Sequence, residues 1–368
     1  MNGALFRYIF KRVLLMIPTL LGVITLTFAV IQFVPGGPVE QMMLELKGRG
    51  EASVGAGESS GGGATYRGRQ GVDEERLKEI KALYGFDKPV HERYFHMLKR
   101  FAMFDLGQSY YQHKSVWELV LSKMPVSISL GLWTFLITYL ISIPLGIKKA
   151  VRAGTRFDTA TSVIILIGYA IPGFVLGVLL LVLFGGGSFL QLFPLRGLTS
   201  DNWAQLSLIG KVMDYLWHLV LPITASVLGS FAVITILTKN SFLEEIRKQY
   251  VITARAKGLS EDRVLWKHVF RNAMIPLVTG FPSAFIGAFF TGSLLIETLF
   301  SLDGLGLLSY EAVIRRDYPL VLGTLYLFTL IGLVTKLISD IAYVLWIHVF
   351  SLMVKEVMHE CDLGAQVA

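Results

Sequence analysis

Six stretches of this 368-residue chain are each long and apolar enough to cross a bilayer as a helix, and they constrain the fold more than any motif does. They lie at 13–34, 126–147, 159–184, 216–237, 273–296 and 321–345. A helix needs roughly 20 apolar residues to cross the hydrocarbon. Backbone polar groups find no water there, so a chain with these stretches folds as a bundle of helices. Composition agrees. The chain is 53% hydrophobic and 17% charged, with mean hydropathy +0.58, against about a quarter charged in ordinary soluble domains. Prolines fall in or beside the stretches at 18, 144, 172, 222, 276 and 282, where neighbouring helices can satisfy the freed carbonyls. The basic start, Arg7, Lys11 and Arg12, resembles a signal peptide. The apolar run after it is long enough to span and no small-x-small site follows, so it reads as an uncleaved first helix.

Lys and Arg set the expected orientation. Lys148, Lys149, Arg152 and Arg156 crowd the 148–158 loop, and eight more basic residues lie in 238–272. The loops 185–215 and 297–320 hold two each. The positive-inside rule places the first two loops, and both termini, in the cytoplasm. The 35–123 segment then lies outside. Its 48–71 part is rich in Gly and Ser and is expected to be flexible. Its 73–123 part is expected to be helical, with Leu77, Ile80 and Leu83 spaced for one short helix and Tyr94, Leu98 and Phe101 for another. The net charge of +7 is accounted for by such loops, and no basic cluster interleaved with aromatics points to nucleic acid.

The 238–272 loop cannot cross. Each central charge costs about 2.5–3.5 kcal/mol, and the loop carries many. Yet it is patterned. Phe242, Ile246, Tyr250 and Ala254 recur every four residues, as one stripe of a helix. Gly258 suits a helix C-terminus. Ser260 suits an N-cap, with Glu261 and Asp262 in the next first turn. Leu265 and Val269 stripe the second helix beside Trp266 and Phe270. This helix–glycine–helix element fits two readings: an amphipathic pair resting on anionic lipid, or a compact knob that docks into a partner's groove.

The stretch "QYVITARAKGLSEDRVLWKHVFRNAMIP" resembles the coupling segment of bacterial ATP-binding-cassette importer permeases of the dipeptide/oligopeptide/nickel branch. Ala254 and Gly258 match the Ala and Gly of the general E-A-A-x-x-x-G signature. Ile252 and Thr253 replace its Glu and Ala, as is usual in this branch. "PGGP" at 35–38, "LYGFDKPVHERYF", "FDLGQSY" and "IETLFSLDGLGLLSYEAVIRRDYPLVLG" agree. "SIPLGIKKAV", "GYAIPGF", "FPLRGL" and "LTKNSFLEEIRKQYV" are most similar to the first permease subunit of microcin C-type peptide importers. The resemblance covers residues 5–344. The branch ends in D-L-x-Y-x-x-x-D-P-R-I; here Asp340, Ile341 and Tyr343 fit, but the 346–368 tail departs from the pattern and is assigned no function.

The resemblance implies a type I ABC importer permease fold, six transmembrane helices with cytoplasmic coupling helices, and a transmembrane core over 124–345. It implies an inner-membrane subunit that imports peptides, microcin C-like peptide–nucleotides among them. The implied partners are a second, homologous permease, two cytoplasmic ATPase domains, a periplasmic solute-binding protein, the peptide and membrane lipid. Ala254, Arg255, Ala256, Lys257, Gly258 and Leu259 would contact an ATPase. Consistent with a non-enzyme, the sequence has no G-x-x-x-x-G-K-[ST] to cradle ATP phosphates, so hydrolysis would belong to other chains.

No catalytic residue, cofactor or metal site is expected. Cys361 is the single cysteine and excludes an internal disulfide and a Cys-based metal site. Lys336 and Asp340, spaced i, i+4, are expected to form a structural ion pair. Glu297, at the outer end of the fifth span, is expected either to lie in the interface or to contact a peptide amine, and His218 is expected in the interfacial belt rather than as a ligand. An ion-coupled secondary transporter would need midplane acids and inverted repeats. An intramembrane hydrolase would need G-x-S-x-G or H-E-x-x-H. Neither set of features is present in the sequence.

Overall fold

A computed structural model describes residues 3–33, 87–186, 189–290 and 293–366. The expected helix over 77–84 and the 48–71 segment lie outside these residues. The described residues are helical, with no β-strand among them and two isolated bridges, Gln108–Ser115 and Gly185–Gln191. We label the helices α1 (Gly3–Phe33), α2 (Val90–Ala102), α3 (Val116–Val151), α4 (Arg156–Ala170), α5 (Gly173–Phe184), α6 (Leu208–Ile246), α7 (Gln249–Ala256), α8 (Glu261–Ala273), α9 (Ile275–Phe290), α10 (Leu294–Leu299), α11 (Leu305–Ile314) and α12 (Tyr318–Gln366). A short 3₁₀ turn covers Trp203–Gln205.

Four unbroken helices are long and apolar enough to span: Arg7–Phe33, Val116–Val151, Leu208–Ile246 and Tyr318–Ala342. Two further candidates are bent helix pairs. The expected straight span at 159–184 is bent by 91° between α4 and α5, because Pro172 lacks an N–H and biases Ile171 to extended backbone. The other pair joins α8 to α9 through a 53° bend. Counting each bent pair as one span gives six candidates, the number expected, with α9 carrying the fifth and α8 ending where the expected 273–296 stretch begins.

Two compact units divide the chain. The larger comprises Met1–Met16, Lys123–Leu307 and Leu330–Ala368. One of its cores packs Leu130 of α3, Leu219, Leu221, Ile223 and Ala225 of α6, and Ile296 of α10 with Phe300 and Leu302. A second core lies at the other end of α3 and α6 and carries the candidate site. Close packing in this unit depends on small residues, as membrane bundles require. A Cβ on Gly146 of α3 would sit 2.5 Å from Thr238 Cβ of α6.

The smaller unit comprises Ile17–Ser122 and Leu308–Thr329. Here α2 starts with Glu92 and ends with Lys99 and Arg100, an order the helix dipole favours. It leans on α1 through Thr25 Oγ1–Tyr94 OH at 2.6 Å and through Arg93, which donates to Gln32 Oε1 at 2.8 Å. Arg100 then grips Asp105 with two hydrogen bonds, 2.7 and 2.9 Å, which turns the chain after α2.

Candidate functional site

The helix–glycine–helix element is present, and its turn is built as the residues demand. Gly258 has φ 79°, a left-handed backbone that costs a side-chain-bearing residue about 1–2 kcal/mol. Leu259 N–H donates to Ala254 O at 3.4 Å and Gly258 N–H to Arg255 O at 2.9 Å. These two bonds close α7 in a Schellman motif and satisfy its orphan carbonyls. Ser260 occupies the N-cap position of α8, but its side chain makes no capping bond.

Two local expectations are corrected. The Phe242–Ala254 stripe is not one helix. α6 ends at Ile246, and Lys248 is extended at φ −75°, ψ 152° before α7 begins. The break is tied across itself: Tyr250 OH donates to Glu245 Oε2 at 2.7 Å. Burial, and after it the Glu245 carboxylate, push the Tyr250 hydroxyl up to about 12, so it remains a donor. In α8, residues Val264–Val269 form a π-helix. Its wider turn brings positions five apart onto one face. Val264 and Val269 are therefore both buried, while Trp266 is exposed.

The element sits on a hydrophobic seat. Val251 and Ala254 of α7 and Val264, Val269 and Ala273 of α8 pack with Ile147 and Ala150 of α3 and Phe242 of α6. This separates the six expected contact residues. Arg255, Ala256, Lys257 and Gly258 are exposed. Ala254 is buried and Leu259 is half-buried against the same core. Ala254 and Leu259 therefore seat the turn rather than face outward. A Cβ on Gly258 would meet nothing within 4 Å, so its surface is open.

The expected Lys336–Asp340 pair does not form. Asp340 Oδ2 instead lies 3.0 Å from Arg12 Nη2 of α1. Lys before Asp at i, i+4 is the less favourable order along a helix, and a guanidinium from a neighbouring helix offers a planar fork. Glu297 turns into the protein interior. It is fully buried, and its Oε2 accepts the Leu307 N–H at 2.7 Å. Burial pushes its carboxyl above the ordinary range. His218 is likewise buried, with Nδ1 2.8 Å from Asp214 O.

Sequence reading missed a buried charge cluster. Lys149, expected in a solvated basic loop, is 1% exposed and lies against Asp158 of α4, which also pairs with Lys239 of α6. A Lys–Lys pair at a helix end gives no sign of which member turns inward; Thr161 and Ser162 one turn beyond Asp158 were the available hint.

The larger unit also lines an open cavity of about 890 Å³. Its wall carries Thr134, Thr138, Tyr139, Tyr169, Ser226 and Ser230, and Glu297 is the one charged residue among the described lining. Hydroxyls and aromatic faces of this kind can pair with amides and pack side chains of differing shape. Among the described residues no cluster of three His, Cys, Asp or Glu is placed to hold a metal.

Residues 142–346 match the family model described as "Binding-protein-dependent transport system inner membrane component". The chain is 56% identical over 351 residues to the peptidoglycan transport system permease protein YejB of Agrobacterium fabrum, covering 92% of this chain and 96% of that protein. It is 54% identical, with the same coverage, to the inner membrane ABC transporter permease protein YejB of Escherichia coli O157:H7. It is 33% identical to the di/tripeptide transport system permease protein DppB of Pseudomonas aeruginosa, over 91% of this chain and 96% of that one. The family match takes in the second core and the glycine turn, and the chain belongs to the family of binding-protein-dependent transport system inner membrane components, as an ABC importer permease.

Proposed function

We propose that this chain is the permease subunit of an ATP-driven peptide importer, and that the turn at residues 255–258 is where nucleotide-driven force enters it. The single observation that carries this reading is the seat of α7 and α8. The turn presents Arg255, Ala256, Lys257 and Gly258 outward while the buried face of α7 and α8 packs against α3 and α6, and α8 continues into α9 through the 53° bend. A push on the turn is thus delivered to three spans without passing through a slack loop. A lipid-resting pair would instead turn its apolar face outward.

In this reading the turn and both termini face the cytoplasm, in accord with the Lys and Arg distribution. Two ATPase domains carry out hydrolysis, one of them receiving the turn in a groove. A second, homologous permease completes the pathway, and a periplasmic binding protein delivers cargo. The cavity is this chain's share of that pathway. Peptide cargo is supported by the names of the relatives, which transport peptidoglycan or di- and tripeptides, and by the near-absence of charge from the cavity wall. Microcin C-like peptide–nucleotides are one class to test.

The test is cross-linking from Lys257→Cys in native membranes, on a Cys361→Ser background. A cross-link to a nucleotide-hydrolysing subunit supports the reading; cross-links to lipid alone overturn it. Competition of labelled tripeptide uptake by dipeptides, peptidoglycan fragments and a peptide–nucleotide then ranks the cargo.

A further inference from the structure

The seat explains how α3, α6 and α9 feel the turn, but it contains no residue of α4. Yet the broken pair α4–α5 forms part of the cavity wall, through Tyr169, Gly173 and Phe174. What joins α4 to the moving helices at the turn end is a charge cluster. Lys149 Nζ, at the end of α3, donates to Asp158 O at 2.9 Å, Thr161 Oγ1 at 2.7 Å and Ser162 Oγ at 2.8 Å. These bonds use all three of its protons. It also lies 3.1 Å from Asp158 Oδ1. Lys239 Nζ, on α6, reaches the same carboxylate at 2.7 Å from Oδ1 and 2.8 Å from Oδ2. The Gly154 N–H donates to Oδ2 at 3.1 Å, fixing the link between α3 and α4.

One carboxylate thus holds two ammonium groups from two different helices. Buried ions persist only when paired and hydrogen-bonded, and removing one member leaves the others uncompensated. Without the carboxylate, Lys149 and Lys239 would face one another as like charges across the α3–α6 contact, and α4 would lose its charged tie to α6 at the turn end, keeping the packing of Gly168, and of Gly173 in α5, against Leu228 and Ala225 farther along.

We infer that Asp158 is a positioning residue that makes the broken helix α4–α5 follow α3 and α6, so that movement entering at the Gly258 turn reaches the cavity wall. The inference rests on the proposed role of that turn. It adds a second connection that the turn itself does not supply.

The test uses the intact transporter, purified through a tag on this chain, with spin labels at Thr159→Cys and Asn240→Cys on a Cys361→Ser background. Both labelled positions are exposed. With Asp158 present, the 159–240 distance is expected to be the same without nucleotide and with ATP plus vanadate. In Asp158→Asn the distance should change with nucleotide, and tripeptide uptake should fall roughly tenfold. Lys239→Met, which cuts the tie to α6 and leaves the Lys149 bonds in place, should show the same change if Asp158→Asn does not assemble. A distance that already shifts with nucleotide when Asp158 is present overturns the inference. So does a distance that stays fixed in the variants. Failure of the underlying reading would be seen separately, as loss of the Lys257→Cys cross-link to a hydrolase.

Discussion

Arg255 and Glu261 clasp one another across the glycine turn: Arg255 Nε donates to Oε1 at 2.8 Å and Nη2 to Oε2 at 2.9 Å. The two residues belong to different helices, so the bidentate pair fixes the angle between α7 and α8. Planar, two-point pairing adds direction as well as attraction. Arg255, expected to touch a partner, is thus also part of the frame that holds Lys257 and Gly258 forward.

Glu261→Gln should lower peptide uptake, and Arg255→Ala should lower it at least as much, with membrane insertion unchanged. Both groups are largely exposed, so the effect should be modest and should shrink as salt is raised. Uptake assays at low and high ionic strength check this.

Gly258 should tolerate Asn better than Val. Asn enters the left-handed region at little cost, whereas a β-branched residue resists it. Gly258→Val is expected to weaken the turn by about 1–2 kcal/mol, read as faster amide exchange at Leu259, whose N–H closes the Schellman motif. Gly258→Trp adds bulk on the open side and should abolish uptake while the chain still inserts.

Asp340 should couple energetically to Arg12 and not to Lys336. Double-mutant cycles by thermal unfolding in detergent, using Arg12→Gln, Lys336→Gln and Asp340→Asn, should give a non-zero coupling for the first pair and none for the second.

Glu297 latches the segment that follows α10. Glu297→Ala would leave the half-buried Leu307 N–H without its acceptor, a loss at the lower end of about 1–3 kcal/mol. Gly304→Ala should do comparable damage, since its Cβ would lie 2.5 Å from the Glu297 carboxyl carbon. Thermal unfolding of the two variants measures both.

Asp317 predicts a pH dependence in the smaller unit. It is buried, accepts from Ser109 Oγ, and accepts the Tyr110 N–H at 3.2 Å. Burial raises its carboxyl above the ordinary aspartate range. A raised acid holds its proton more tightly when folded. Its contribution is therefore full below the unfolded pKa of about 4 and is lost as pH rises through the folded value. Amides near residues 109–116 should exchange faster as pH is raised, after correction for intrinsic rates, and Asp317→Asn should flatten that trend.

Much of the architecture was legible because it rests on local chemistry. Apolar length marks a candidate span wherever it occurs, and four unbroken helices and two bent pairs match the six expected in number. A glycine that closes one helix before an acidic first turn of the next needs no distant contact, and Gly258 stands where its pattern placed it. Pro172 was visible as a breaker, but the 91° bend was not. A proline removes one hydrogen bond, whereas neighbouring helices set how far the chain turns.

The chain's own order of residues was therefore enough for the apolar stretches that become candidate spans, the position of the glycine turn and the family. It could not say that Asp340 meets Arg12, that Lys149 turns inward to Asp158, or that Val264 and Val269 share a face through a π turn. Each of these depends on what a second helix brings within a few ångströms. Such proximity is created when the bundle packs, and neither hydropathy nor helical spacing encodes it.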